Sequence, residues 1–331
     1  ALAPFHDIFS RRSMLAAGMS LHLAGLVTVA LAPGWAVLVA GHAFCGCGGG
    51  IFMPAAYAAV SERTSDGARA SVLGRVNSGW AASTLVGVPA AALLGETLGW
   101  RETMLALAAV WPIIAVLTAR ILAGAARPVG SAGAASAFWS RSILTRLQTA
   151  RLPWLFASTV LIFVGFYGVY AYLGIAVRSD LNVEAGGAGL FVSIYGLGFL
   201  TGTLNGWIID RVGPERSLGI ATATLSVILF AIPQATPSAV LLAIAMYLWG
   251  VFQNAAFTSF TTAVGKAEAA IRGRAFSINT ACVFMGSSIG TAAMGVVNSS
   301  WGFVTVGIVC MVATAAASGI VAWKLVAAPK A

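Results

Sequence analysis

Apolar residues run along this chain in blocks of about twenty, and the polar residues gather in short bursts between them. Ten blocks can be marked, at about 13–32, 34–60, 70–95, 101–122, 153–176, 185–210, 216–233, 237–263, 273–298 and 301–325. Each is close to the ~20 residues that a helix needs to cross the hydrocarbon of a bilayer. Helices are expected because a spanning backbone has to satisfy its own hydrogen bonds. Barrel strands would alternate over ~10 residues, and a stretch such as Leu218–Ile232 shows no alternation. The pattern predicts an all-α, polytopic membrane protein.

Composition agrees. Of 331 residues, 59% are hydrophobic and 9% charged, against roughly 25% charged in a soluble domain. The net charge of +9 is a matter of placement. Seventeen of the 19 Lys and Arg residues fall in alternate polar bursts, and the intervening bursts hold only Arg101 and Arg178. By the positive-inside rule the basic bursts are cytoplasmic, which puts both ends of this chain in the cytoplasm and the protein in the inner (plasma) membrane. The charge is therefore read as topology, and nucleic acid is not expected as a partner. Cys45, Cys47, Cys282 and Cys310 all sit within apolar blocks, with no second Cys or His pair at ligand spacing, so no metal or cofactor is expected.

One polar burst stands out: Gly206-Trp-Ile-Ile-Asp210-Arg211-Val-Gly213-Pro-Glu-Arg216. Asp7, Arg11 and Arg12 repeat its charges about 203 residues earlier, and Ala68-Arg69-Ala70 is echoed by Gly273-Arg274-Ala275 at a shift of 205. Two near-equal shifts imply a duplicated unit. Six blocks follow residue 153 and four precede residue 122. The expected organisation is an incomplete N-terminal half at 1–122, a cytoplasmic linker at 123–152 and a six-helix half at 153–331. The chain begins Ala-Leu-Ala-Pro, and Asp7 to Arg12 reads as the exit of an earlier helix, so an N-terminally truncated chain is expected, with about ten helices of twelve. Within the linker, residues 138–147 interleave arginines with apolar residues, as in a helix lying on the membrane surface. Gly198, Gly202 and Gly206 form a small-residue face, and Gly87-Val88-Pro89 marks a helix bend.

These residues carry a resemblance to the major facilitator superfamily. The family's loop pattern, Gly-x-x-x-Asp-Arg/Lys-x-Gly-Arg/Lys-Arg/Lys, is matched by Gly206, Asp210, Arg211 and Gly213, with Pro214 and Glu215 in place of the basic pair and Arg216 just beyond. The earlier copy keeps Asp7, Arg11 and Arg12 but has Ala3, Ile8 and Ser10 elsewhere. Gly87-Val88-Pro89, with Leu94-Gly95 and Gly99-Trp100-Arg101, is similar to the fifth helix of the sugar-efflux and drug:proton antiporter branches. The resemblance implies a major-facilitator-type helical bundle, alternating access, gating by the two charged loops, a small-molecule substrate and proton coupling.

It also implies a midplane cavity between two halves, on whose lining segments Tyr167, Tyr170, Gln253, Asn254, Phe257 and Asn279 lie. Contact between helices is the competing reading for each. The ten carboxylates all lie near block ends, and embedded ionisable groups are the usual coupling sites. His42 stands where the resembling antiporters have an arginine. Histidine as a class exchanges protons near neutral pH, so His42 is the candidate coupling residue, against a plain helix-contact role. No phosphate-binding loop and no nucleophile–base arrangement is present, so neither ATP-driven pumping nor an enzyme is expected. The leading expectation is proton-coupled efflux of a small organic solute, drug-like or sugar, by a monomer. Uptake, a non-transporting sensor or assembly protein, and an inactive fragment are the alternatives.

Overall fold

The computed structural model describes residues 11–62, 76, 78–121, 151–267 and 269–327. The expectations for Asp7, for the 123–150 linker and for the surface helix at 138–147 fall outside these residues, as does the side chain of Arg11. Among the described residues the elements are helical. We number them α1 (Arg11–Ala30), α2 (Trp35–Glu62), α3 (Ser78–Thr97), α4 (Trp100–Ile121), α5 (Leu152–Leu181), α6 (Ala185–Val212), α7 (Pro214–Ala235) and α8 (Ala239–Gly265). A last helical stretch, Ala269–Ile320, contains Gly302 at φ 79° and ψ 172°, outside any helix. It is two helices, α9 (269–301) and α10 (303–320). Nine stretches among the described residues are long and apolar enough to cross a membrane. The last of these is 54 residues long, so dividing it at Gly302 leaves the ten spans that the hydrophobic blocks predict.

Two compact units are present. The first comprises residues 1–73 and 94–144, the second 74–93 and 145–331. Most of α3, up to Leu93, thus belongs with the later helices. The reason is local: a Cβ on Gly196 of α6 would meet the Leu85 backbone at 2.5 Å, and one on Gly189 would meet Pro89 at 3.2 Å. Small residues let α6 and α3 approach to backbone contact.

In the first unit α1 and α2 are held by the same device. His22 Nδ1 lies 3.2 Å from the Cys45 carbonyl, and the His22 ring stacks on Trp111 at 4.5 Å between centroids. Trp111 in turn donates to the Met19 carbonyl at 2.9 Å. His22 is a helix-contact residue. Arg101, one of the two basic residues in the other set of turns, donates to the Ala32 carbonyl at 3.1 Å. It satisfies an orphan acceptor just past the end of α1, where a cation also suits the helix dipole.

In the second unit α5 is the central element, with buried residues recurring every three or four positions from Leu152 to Val177. It packs against both α9 and α10. Pro89 in α3 is preceded by a π-helical turn, Ser83–Gly87, in which the Val88 N–H donates to the Ser83 carbonyl. A proline lacks the donor that an α-helix needs and crowds the preceding turn. The wider π turn absorbs that conflict and is the form the expected bend takes.

Candidate functional site

The loop between α6 and α7 turns at Gly213, whose φ of 92° is open to glycine and disfavoured for other residues. Pro214 and Glu215 then open α7. Asp210, Arg211 and Arg216 are all exposed. Arg211 lies over the Trp207 ring at 5.1 Å. Among the described residues no carboxylate–guanidinium pair joins Asp210 to Arg211 or Arg216. The ion pair of this loop is Glu215 with Lys266, which follows α8. Sequence reasoning had Glu215 only as a departure from the loop pattern. The signal that could have found the pair was the acid at the pattern's basic position together with a lone lysine at the end of the next hairpin. Gly198 and Gly202 sit against α8, while nothing lies within 4 Å of a Cβ built on Gly206. The small-residue face therefore ends one turn before the loop.

Arg12 is exposed at one end of a groove of ≈ 440 Å³ between α1 and α4. Leu15, Met19, Leu23, Pro112 and Val116 form much of its walls. The lining is mostly apolar, with Arg12, Ser20 and Thr118 among its polar members. His42 is exposed on α2, with its Nδ1 2.9 Å from the Leu38 carbonyl of its own helix. Gly87 and Pro89 sit at the π turn of α3.

The polar and aromatic residues of the second unit are drawn together. Phe163, Phe166, Tyr167 and Tyr170 occupy one face of α5, at helical spacing. Phe166 stacks on Tyr170 at 5.6 Å and meets Trp249 at 5.0 Å, and Trp249 meets Tyr195 at 5.3 Å. Farther along, Phe260 lies 6.1 Å from Phe163 and 4.9 Å from Phe257. The rings come from α5, α6 and α8. Trp249, Tyr195, Phe166, Phe163 and Phe260 are buried, and Tyr167, Tyr170 and Phe257 half-buried. Edge-to-face and offset contacts of this kind add roughly 0.5–1.5 kcal/mol per pair beyond area burial.

Two amides lie on the same stretch of α8. Gln253 and Asn254 are each 3% exposed. Asn254 Oδ1 accepts from Thr258 at 3.4 Å, while no hydrogen-bond partner is found for Gln253 among the described residues. The Trp249 indole N–H is buried with no acceptor among the described residues. Asn279 is separate: its Oδ1 accepts from Thr159 at 3.0 Å, tying α9 to α5. That is the helix-contact role. Phe163, Phe166, Tyr195, Trp249 and Phe260 were not among the expected cavity residues, although Trp249 precedes Gln253 by one helical turn. The described carboxylates, Glu96, Glu102, Asp180, Glu184, Asp210 and Glu215, lie at helix ends. Among the described residues no three His, Cys, Asp or Glu side chains converge as metal ligands.

Comparison with known proteins places this architecture. The family model described as Major Facilitator Superfamily matches residues 1–270 and, in a second match, 155–331. The MFS-type transporter YwfA of Bacillus subtilis is 31% identical over 313 residues, covering 95% of this chain and 76% of that protein. The inner membrane transport protein YdhP of Escherichia coli is 27% identical, covering 88% and 73%. The multidrug resistance protein MdtG of E. coli is 27% identical, covering 90% and 73%. Among solved structures, a variant of the E. coli fucose:proton symporter FucP superposes with a TM-score of 0.69 over 97% of this chain and 86% of that one, at 15% identity. FucP in an outward conformation gives 0.66. The helices, the charged α6–α7 loop and the matched family model agree, and the chain belongs to the major facilitator superfamily of membrane transporters.

Proposed function

We propose that this protein exports a small amphipathic organic solute, neutral or weakly cationic, by alternating access, with protons moving in the opposite direction. The observation that carries this reading is the aromatic cluster of α5, α6 and α8 with Gln253 beside it, while the carboxylates among the described residues lie at helix ends. Such a surface offers stacking and one amide hydrogen bond, and rejects strongly charged cargo because nothing compensates the desolvation of a full charge. Tyr167, Tyr170, Gln253, Asn254 and Phe257 are its contact residues. Asn279 belongs to the same wall as a strut.

The similarity to the multidrug resistance protein MdtG supports efflux of drug-like compounds. His42 is the proposed coupling residue. Its ring is exposed, and among the described residues no carboxylate pairs with it. The loops at Asp7, Arg11 and Arg12 and at Gly206, Asp210, Arg211, Gly213 and Arg216 gate the cytoplasmic side, with Glu215–Lys266 as the bond that holds the second loop. The organisation into halves at 1–122 and 153–331, the interfacial helix in the 123–152 linker, the cytoplasmic placement of both chain ends and a monomeric state complete the proposal.

Everted vesicles containing the protein test it. Uptake of aromatic dyes and drugs is measured with and without an imposed pH gradient, beside a panel of sugars. Accumulation of an aromatic solute that collapses with the gradient, and is lost in His42→Ala, is expected. Gradient-independent flux, or transport of sugars alone, overturns the reading.

A further inference from the structure

Lys324, in the π-helical turn Val321–Ala327 that ends the described chain, lies between two tryptophans. Its Nζ is 3.5 Å from the Trp323 ring centroid and 4.9 Å from that of Trp154 on α5. Arg151, just before α5, donates through Nη1 to the Lys324 carbonyl at 3.4 Å. Two cations, one just before α5 and one just after α10, are thus brought to one spot. Among the described residues no carboxylate pairs with Lys324. Trp154 is 43% exposed and Trp323 68% exposed.

Chain parity fixes where the spot lies. Residue 151 starts α5, two crossings later the chain reaches Gly213, two more bring it to Lys266, and a last pair brings it to Lys324. The Glu215–Lys266 bond joins the middle two of these directly. The cluster therefore sits at the same membrane face as the α6–α7 loop. Exposed tryptophans at a helix end mark the depth of the headgroups. A lysine held against them keeps its charge at that depth, with its stem on apolar surface.

We propose that Lys324, Arg151, Trp154 and Trp323 form a binding site for the headgroup of one anionic phospholipid. The lysine ammonium faces the lipid phosphate, Arg151 holds the Lys324 backbone in place and adds its charge to the spot, and the two indoles lie along the glycerol and the upper acyl chains. Basic pockets between spanning helices hold anionic headgroups in this manner. The second copy of an acidic partner protein is disfavoured, because the flanking surface is two exposed indoles at headgroup depth. Seated there, the lipid would join the start of α5 to the end of α10. Only the leaflet that supplies the lipid depends on the orientation proposed above.

Native mass spectrometry of the purified protein, released from bilayers of mixed phosphatidylglycerol and phosphatidylcholine, tests the site apart from transport. The wild type is expected to retain one phosphatidylglycerol in preference to phosphatidylcholine. Lys324→Gln weakens that retention about fivefold, the worth of one basic residue at a membrane surface. Lys324→Arg restores it, which separates charge from folding. Trp323→Ala, with both charges in place, weakens it as well. Millimolar inorganic phosphate leaves the bound lipid in place. Equal retention of the two lipids, equal retention by the wild type and Lys324→Gln, or displacement by inorganic phosphate overturns the proposal.

Discussion

Lys266 Nζ lies 2.9 Å from Glu215 Oε1 and 3.1 Å from Glu215 Oε2, so that one ammonium bridges both oxygens of a carboxylate 51 residues away. The pair ties the turn after α6 to the turn after α8. Both side chains are partly exposed, at 54% and 33%, and an exposed pair is worth about 0–1 kcal/mol. Its use is therefore to hold two loops in register. Glu215→Lys should leave thermal stability in detergent nearly unchanged and lower the transport rate. The double exchange Glu215→Lys with Lys266→Glu should recover most of it. A single variant that transports at the wild-type rate removes the pair from the gating device.

Gly290 and Gly206 separate packing from gating. A Cβ on Gly290 would meet the Val164 carbonyl of α5 at 2.5 Å, and backbone cannot rotate away. Gly290→Ala should destabilise by about 1–3 kcal/mol, the usual cost of overpacking, read as a lowered midpoint of thermal unfolding. Gly206→Ala meets open space and lies in helical backbone. It should leave the midpoint unchanged or raise it slightly, since alanine is the better helix former. A transport defect in Gly206→Ala at full stability would then belong to movement of the loop.

Much of this was legible in the sequence, and the reasons differ by element. The spans were legible because a bilayer demands a length and an apolar composition that few other constraints imitate. The break between the last two spans was visible as well, since the blocks at 273–298 and 301–325 part at 299–300, within a few residues of Gly302. The facing of residues within those spans was not. Helices apolar all round carry little amphipathic signal, so periodicity did not separate Trp249, which is fully buried, from Tyr247, which is exposed. Asn279 and Gln253 look alike in sequence, yet one bonds Thr159 and the other has no partner among the described residues. Asp210, Arg211 and Arg216 are the charges the loop pattern picks out, and among the described residues they do not pair with one another. The bond formed instead at Glu215, which reaches across a turn of the chain that no local pattern records.

The Thr159–Asn279 bond predicts an asymmetry. Thr159 also lies 3.0 Å from the Leu155 carbonyl of its own helix, so its hydroxyl keeps an acceptor when Asn279 is removed. Asn279→Ala should cost about 1 kcal/mol, the net worth of an ordinary hydrogen bond. Thr159→Val leaves the buried Asn279 oxygen without its donor and should cost more, in the range of about 1–3 kcal/mol. Unfolding midpoints of the two variants and the double variant measure the difference. Equal costs would mean that Asn279 finds another donor in the wild type.

Gln253 gives the sharpest test, because the two readings of it predict opposite signs. A buried amide that serves the fold has partners, and removing it lowers stability. Gln253 is 3% exposed, has no partner among the described residues and sits one turn from Trp249 and one from Phe257. An amide that makes no bond within the fold loses none when an apolar side chain of similar shape replaces it, and such a replacement is near neutral or stabilising. Gln253→Leu should therefore hold or raise the unfolding midpoint. If the amide is reserved for cargo, the same variant should raise KM for a hydrogen-bonding substrate by roughly fivefold, the worth of one neutral hydrogen bond, while a purely apolar aromatic substrate is carried as well as before. A fall in stability, or a loss that is the same for every substrate, would return Gln253 to the scaffold and leave the aromatic rings alone to select the solute.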